Sequence, residues 1–380
     1  MGHYFFNETV NIPYAVLADW AARIFRAVGM DAEDARLTAE TLAVADARGV
    51  FSHGCVRVPL YVKRIETGCV YPKAKPVILR NMGATALVDG KNAGGQVVST
   101  FSMKLAIDLA RNHGVSFVTV RNSNHCGACA YYSMMALSED MIGFSTSIGG
   151  GNLMAPYGGA DNRIGNNPFS VAIPATERDP VVLDMALSVV AKGKIILAQK
   201  TNARIPETWA IDQSGVPTTA PAEALSGSIR PAGDYKGSNL SIVVGMLSSM
   251  LSGACIGATL KDIYGNFEEP LGVGHSFGAI RIDYLTDPTE FKKNVDREID
   301  FIKNAKKAAG VEEVFMPGEM EAQMYRRQMR EGIPMAAEVV EELIALSRRL
   351  GVDIPGTLLS QGRNGKVLVR SMTKVPDILQ

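Results

Sequence analysis

The chain has 380 residues, with 39 basic and 39 acidic side chains and so no formal net charge; nearly half of it is hydrophobic, enough for a well-packed interior. That balance excludes the strongly basic surface of a nucleic-acid binder and gives no attraction to an acidic membrane, while the length asks for two domains or two lobes of one α/β body. No run of about eighteen apolar residues occurs, so no membrane span is expected. Five cysteines at irregular spacing make no disulfide framework. Met1-Gly2-His3-Tyr4-Phe5-Phe6-Asn7-Glu8 lacks a basic start followed by an apolar run, so no signal peptide is expected and the chain reads as cytoplasmic with free thiols.

Residues 12–47 predict two helices. Ile12-Pro13 opens the first, Val16, Leu17, Trp20, Ala21, Ile24 and Phe25 fall at helical spacing, and Val28-Gly29 ends it. Asp31 caps the second, which has Glu33 and Asp34 in its first turn. The pattern then breaks in the stretch that organises the chain, Asp46-Ala47-Arg48-Gly49-Val50-Phe51-Ser52-His53-Gly54-Cys55-Val56-Arg57-Val58-Pro59-Leu60-Tyr61. Gly49, Gly54 and Pro59 punctuate it. Ser52, His53 and Arg57 suit an anionic, oxygen-rich substrate. Arginine grips a carboxylate through parallel hydrogen bonds, histidine passes a proton near neutral pH, and serine orients the imidazole. The same residues also read as a helix end with a Ser cap and a surface His and Arg.

From Val77 the texture turns to strands. Ala84–Gly90, Val115–Val120, Met141–Ser147, Phe169–Ile173, Val181–Ala186 and Phe277–Ile282 read as strands, and Gln96–His113 as a helix. Arg121-Asn122-Ser123-Asn124-His125-Cys126-Gly127-Ala128-Cys129-Ala130 ends a strand in polar residues and predicts an immediate small-residue helix whose first amides suit a phosphate. Gly149-Gly150-Gly151-Asn152 is a flexible loop, and a helix containing Lys192-Gly193-Lys194 follows Ala186. Ile205 to Gly215 and its Pro- and Thr-rich sequel predict a long surface loop. Lys236-Gly237 opens a strongly apolar helix, Leu240–Leu251, that is expected to be buried. Charged helices cover 287–310 and 335–350, Arg326, Arg327 and Arg330 read as an exposed helix face, and the stretch after Pro355 reads as a tail or partner-binding arm.

No Gly-x-Gly-x-x-Gly follows a strand and no Walker lysine motif is present, which disfavours a Rossmann fold. Cys126 and Cys129 beside His125 invite zinc or redox readings, but no second ligand pair accompanies them, and the reading kept is two small residues facing a ligand or the core. His125, with Asn122, Ser123 and Asn124 around it, reads either as a strand-end cap or as a functional group. His275 is a weaker candidate.

Together these stretches resemble the type-2 malate/L-lactate dehydrogenase family, which includes sulfolactate and ureidoglycolate dehydrogenases. The likeness runs from about residue 12 to about residue 350. It is carried by Ser52-His53-Gly54 with Arg57 and Tyr61, Ser123-Asn124-His125-x-Gly127, Gly165-x-Asn167-Pro168, Leu183-Asp184-Met185-Ala186-x-Ser188, Ala191-Lys192-Gly193-Lys194, Trp209-Ala210-x-Asp212-x-x-Gly215, Lys236-Gly237 and Pro317-Gly318-Glu319. The resemblance implies an α/β, non-Rossmann dinucleotide-binding mixed sheet, a helical lobe formed by the N- and C-terminal segments, and a homodimer. The expected division is 1–80 for the helical lobe, 81–284 for the cofactor-binding domain, 285–350 for helices returning to the N-terminal lobe and 351–380 for a tail.

The same resemblance implies Ser52 and His53 as catalytic residues, with His125 as an alternative acid/base. It puts Arg57, Tyr61, Asn166, Lys192 and Gly193 on the substrate side. Cofactor contacts are implied for Cys126, Gly127, Ala128, Cys129, Ala130, Asp184, Met185, Ala186, Lys236, Pro317, Gly318 and Glu319, and no metal is implied. Four features depart from the family pattern. Cys126 and Cys129 stand where an aromatic and a small residue are usual, and Asn166 replaces a Thr. The Ile148–Gly151 loop is looser, and Lys194 occupies the place of an acid in the imine-reducing branch. The expected activity is hydride transfer between a nicotinamide cofactor, NAD slightly ahead of NADP, and C2 of a small 2-hydroxy or 2-oxo acid. Arg121 and Lys236 are candidates for a 2′-phosphate. The alternatives are a cyclic imine carboxylate reductase of the same family, a catalytically silent cofactor-binding homologue and, from the cysteine pair, a zinc-dependent enzyme. Neither nucleic acid nor membrane is an expected partner.

Overall fold

The computed structural model describes residues 9–358. The signal-peptide expectation at the N-terminus, and the tail expectation beyond residue 358, lie outside the described residues. The chain forms two units, one made of its two ends (up to Thr67 and from Met320) and one running from Gly68 to Glu319.

In the first unit two four-residue strands, Thr9–Ile12 and Ile333–Ala336, pair antiparallel, Thr9 opposite Ala336 and Ile12 opposite Ile333. Helices Tyr14–Ala27, Ala32–Ala47, Val58–Glu66 and Ala337–Leu350 pack beside them. The periodic apolar face of the first is buried at Leu17, Trp20, Ala21, Ile24 and Phe25. Trp20 is fully enclosed, and its indole N–H donates to Ser347 Oγ at 2.9 Å, so the C-terminal helix is tied to the first. Alanines at 35, 39, 43, 45 and 47 are buried along Ala32–Ala47, and their small side chains let the neighbouring helices approach closely.

The second unit is built on a seven-stranded mixed sheet, as expected for the non-Rossmann class. Its order is Val77–Met82, Thr85–Asp89, Phe117–Ser123, Val273–Arg281, Met141–Ser147, Phe169–Ile173 and Val181–Met185. Only Thr85–Asp89 and Phe117–Ser123 are parallel, joined by the Gly95–His113 crossover helix; every other pair is antiparallel. Val98, Met103, Ala106 and Ala110 of that helix meet Val88, Val118, Val120, Phe277 and Ala279 of the sheet in one apolar core. Gly114 ends the helix in the left-handed region at φ +82°, which a side chain there would resist. The Pro288–Lys303 helix belongs to this unit.

Three elements differ from expectation. The apolar helix, Tyr235–Ser248, buries its small residues Gly237, Ser238, Ser241, Gly245 and Ser248, while Leu240, Val243, Met246 and Leu247, with Met250 and Leu251 beyond it, are exposed in the single chain. Close approach to the sheet selects mostly small side chains for the inner face, with Val244 the one larger residue buried among them, and most of the large ones are turned outward. The expected long loop after Ile205 instead contains the strand pair Ala210–Ile211 and Ser228–Ile229 and the Pro221–Ser226 helix, which share a small core with Met154, Ile195 and Ile205. The expected helix directly after His125 is only the single turn Ala130–Ser133.

Candidate active site

Two clusters carry the predicted residues, one in each unit. In the first, the Ala32–Ala47 helix runs out at Arg48 and Gly49 turns the chain at φ +77°. Two 3₁₀ turns follow, Phe51–His53 and Cys55–Arg57, before the Val58–Glu66 helix, whose first turn accommodates Pro59. Ser52 Oγ lies 2.9 Å from His53 Nδ1, and Arg57 Nε donates to the Ser52 carbonyl at 2.6 Å. The three predicted residues therefore form one hydrogen-bonded group. Tyr61 is buried at the base of the stretch, 8% exposed.

His53 is half-buried. Burial first, and the adjacent Arg57 charge second, hold its imidazole down to about 3, so it is neutral at physiological pH, and the same two effects weaken it as a base. Beneath it lies Asp46, which the sequence offered without a role. Asp46 is fully enclosed, and its Oδ2 accepts the Cys55 N–H at 2.7 Å. Burial pushes this carboxyl up to about 7, partly opposed by the hydrogen bonds from Cys55. A Cβ on Gly54 would come within 1.8 Å of Asp46 Oδ1, so only glycine fits there.

In the second unit, His125 Nδ1 accepts the Gly127 N–H at 3.3 Å, and Gly127 takes φ +81°. Asn124 anchors the strand end from below through Nδ2 to the Ala93 carbonyl at 2.9 Å. The Cys126–Ala130 turn is joined to the edge strand by the Ala130 N–H, which donates to Asp184 Oδ2 at 2.8 Å. That amide is thus taken by a carboxylate, and the helix behind it is one turn long. The Pro317-Gly318-Glu319 turn meets the same strand, Val182 N–H donating to the Pro317 carbonyl at 2.9 Å. Gly318 sits so close that a Cβ would lie 2.6 Å from the Val182 carbonyl oxygen. Glu319 closes its own turn through the Met316 N–H at 2.9 Å and pairs with Lys303. Cys126–Ala130, Asp184–Ala186 and 317–319 are therefore contiguous, with Asp184 and Ala186 exposed.

Asn166 accepts the Leu187 N–H at 2.7 Å, and Val189 and Ala232 N–H groups bridge to the Arg230 and Leu187 carbonyls at 2.9 Å each. This lays the 230–236 segment beside 187–189, with Lys192 and Gly193 opening the next helix and Lys236 exposed. Cys126 and Cys129 are buried, 3% and 2% exposed. His275 is wholly enclosed, with Nδ1 2.9 Å from Ser147 Oγ and Nε2 2.8 Å from Ser123 Oγ. It supports the Ser123–His125 segment from within the sheet. The polar His275-Ser276 pair inside an otherwise apolar strand was the sequence signal for that role. For Asp46 the signal was a carboxylate in the last turn of a helix, the end where the dipole disfavours it.

Residues 12–344 match the family model described as malate/L-lactate dehydrogenase. The chain is 38% identical over 357 residues to a malate dehydrogenase of Pyrococcus abyssi, covering 92% of this chain and 97% of that protein. It is also 38% identical over 331 residues to an L-sulfolactate dehydrogenase of Methanocaldococcus jannaschii, covering 87% of this chain and 94% of that protein. Among solved structures it superposes on malate dehydrogenase from Entamoeba histolytica with a TM-score of 0.87 at 30% identity, covering 91% of this chain and 99% of that one. The fold and these likenesses define a nicotinamide-dependent oxidoreductase, and the chain belongs to the malate/L-lactate dehydrogenase family. Its reaction class is NAD(P)-dependent oxidoreduction of 2-hydroxy and 2-oxo carboxylic acids. Among the described residues no helix is long and apolar enough to cross a membrane, and no group of three His, Cys, Asp or Glu side chains could hold a metal ion.

The carboxyl of Asp46 keeps its proton in the folded state up to about pH 7, whereas an unfolded chain releases it near the ordinary value of 3.8. Wild-type stability is therefore lost as pH rises through that window, because the folded state binds the extra proton. Asp46→Asn, which does not titrate, is expected to gain in melting temperature relative to wild type between pH 4 and pH 7 and to hold a constant difference above it. Calorimetry across that range checks this; a pH-independent difference would contradict the buried acid.

Proposed function

We propose that the chain oxidises a 2-hydroxy acid with a second anionic group, of the malate or sulfolactate kind, and reduces the matching 2-oxo acid. The observation that carries this reading is the Ser52–His53–Arg57 group, in which a neutral imidazole and a guanidinium share one hydrogen-bonded stretch. The names of the similar malate and L-sulfolactate dehydrogenases support the substrate class. Arg57 holds the substrate carboxylate, His53 accepts the hydroxyl proton, and Ser52 keeps the ring in its working tautomer. In reduction the imidazole must first take up a proton, which burial and Arg57 oppose; a carboxylate on Arg57 offsets the second effect. His125 is the second candidate for the acid/base, its ring oriented at the strand end by Nδ1 accepting the Gly127 N–H.

The small residues of the Cys126–Ala130 turn, the exposed Asp184–Ala186 end and the tight Pro317-Gly318-Glu319 turn fit close backbone approach by a dinucleotide, with Lys236 nearby on the 230–236 segment. A bound nicotinamide cofactor supplies or takes the hydride at substrate C2. NAD is proposed ahead of NADP, since Arg121, a candidate for a 2′-phosphate, is already paired with Asp89 at 3.5 Å. Tyr61, Asn166, Lys192 and Gly193 are proposed on the substrate side. The exposed apolar face of Leu240, Val243, Met246 and Leu247 is proposed to pair with a second copy of the chain, giving a homodimer. The cytoplasm is the proposed compartment.

Absorbance at 340 nm with NADH or NADPH and a panel of oxaloacetate, sulfopyruvate, pyruvate and piperideine-2-carboxylate tests the reading. Oxaloacetate or sulfopyruvate is expected to lead by at least about tenfold, which corresponds to roughly 1.4 kcal/mol of discrimination. Arg57→Ala should raise KM about tenfold or more, and His53→Ala should lower kcat by about a hundredfold. Preference for the cyclic imine would overturn the substrate proposal. A drop confined to His125→Ala would move the acid/base to His125. Met246→Glu should shift sedimentation from dimer to monomer; an unchanged mass would contradict this interface.

A further inference from the structure

We propose that Asp46 is a positioning residue for the reaction, holding Ser52, His53 and Arg57 in working geometry through the backbone of Gly54 and Cys55. The proposal rests on the reading of His53 and Arg57 as reacting and anchoring groups. Its own basis is geometric. The carboxyl is enclosed to 1% exposure and accepts the Cys55 N–H at 2.7 Å, at the joint between the two 3₁₀ turns. The turn before that joint carries Ser52 and His53, and the turn after it carries Arg57. Gly54 leaves room for the carboxyl, since a Cβ there would lie 1.8 Å from Oδ1. A buried polar group is costly unless it has a partner, so a carboxyl in this place must do something for the fold or the site. It holds Cys55 through the backbone N–H at 2.7 Å and also through the side chain, so it fixes the backbone of the joint itself.

Its displacement would act on two functions together. The Arg57 Nε–Ser52 carbonyl bond at 2.6 Å closes a loop across the joint, so rotation at Gly54 or Cys55 strains that bond and carries the imidazole and guanidinium apart. The Ser52 Oγ–His53 Nδ1 contact at 2.9 Å, which selects one tautomer of the ring, depends on the same backbone. Burial favours the protonated carboxyl over its charged form, and either form can accept the Cys55 N–H through an oxygen.

Three variants test it: Asp46→Ala, Asp46→Asn, whose amide oxygen still accepts the Cys55 N–H, and Asp46→Ala in a His53→Ala background. Asp46→Ala should lower kcat and raise KM for the 2-oxo acid, with kcat/KM down about thirtyfold or more and cofactor affinity within twofold of wild type. Asp46→Asn should recover kcat/KM to within about fivefold. In the His53→Ala background the kcat loss from Asp46→Ala should shrink to less than threefold, because the ring through which it acts is gone. An undiminished loss there, or an Asp46→Ala enzyme within threefold of wild type, would overturn the proposal. A readout independent of turnover comes from ¹⁵N spectra of the five histidines, with His53 assigned by its absence from His53→Ala. A single His53 tautomer in wild type and Asp46→Asn, averaged in Asp46→Ala, is expected. A single tautomer in all three would overturn the positioning role even if the wild-type chain turned over no acid in the panel, an outcome that would fail the functional reading alone.

Discussion

Removing a carboxyl from water is costly, and the sequence around Asp46 accommodates it. The helix that carries Asp46 ends within one turn, the chain bends at Gly49, and Gly54 has no side chain where Oδ1 lies. Cys55 then returns its backbone N–H to Oδ2. These local choices are mutually dependent: a side chain at 54 expels the carboxyl, and loss of the carboxyl leaves the Cys55 N–H buried without its acceptor. The Ser52–His53–Arg57 group is the external face of that arrangement.

Its electrostatics follow from the same burial. A half-buried imidazole beside a guanidinium is driven to the neutral form, and whatever keeps it neutral also opposes its taking up a proton. In the proposed reaction a substrate carboxylate on Arg57 offsets the guanidinium charge and so lowers the cost of protonating the ring. In the sheet unit charge is handled differently. Asp184 takes the Ala130 N–H, and Glu319 takes Lys303 and the Met316 N–H, so acids at the proposed cofactor surface mainly secure backbone turns.

Much of this architecture was legible because its elements are local. Met141–Ser147 and Phe169–Ile173 are short β-rich runs bounded by polar or glycine-containing turns, and the structure has them with those limits. The Gly95–His113 helix shows its apolar face and its glycine stop. Thr9–Ile12 and Ile333–Ala336 were not legible, since a four-residue strand whose partner lies at the other end of the chain has no local pattern. The Tyr235–Ser248 helix misled for a different reason: composition reports apolarity but not which face a close packing partner selects. Ser52, His53 and Arg57 could be picked out as chemistry-bearing types, whereas Asp46 and His275 work through backbone and hydroxyl partners brought together by folding.

The central claim is that this chain moves a hydride between substrate C2 and the nicotinamide while its own side chains handle the proton and the carboxylate. The most direct measurement is single-turnover oxidation of malate or sulfolactate deuterated at C2, followed by mass analysis of the reduced cofactor. Deuterium in the nicotinamide ring, with a primary isotope effect on the rate, is the predicted result. Reduced cofactor without the label, or label lost to water, would contradict it.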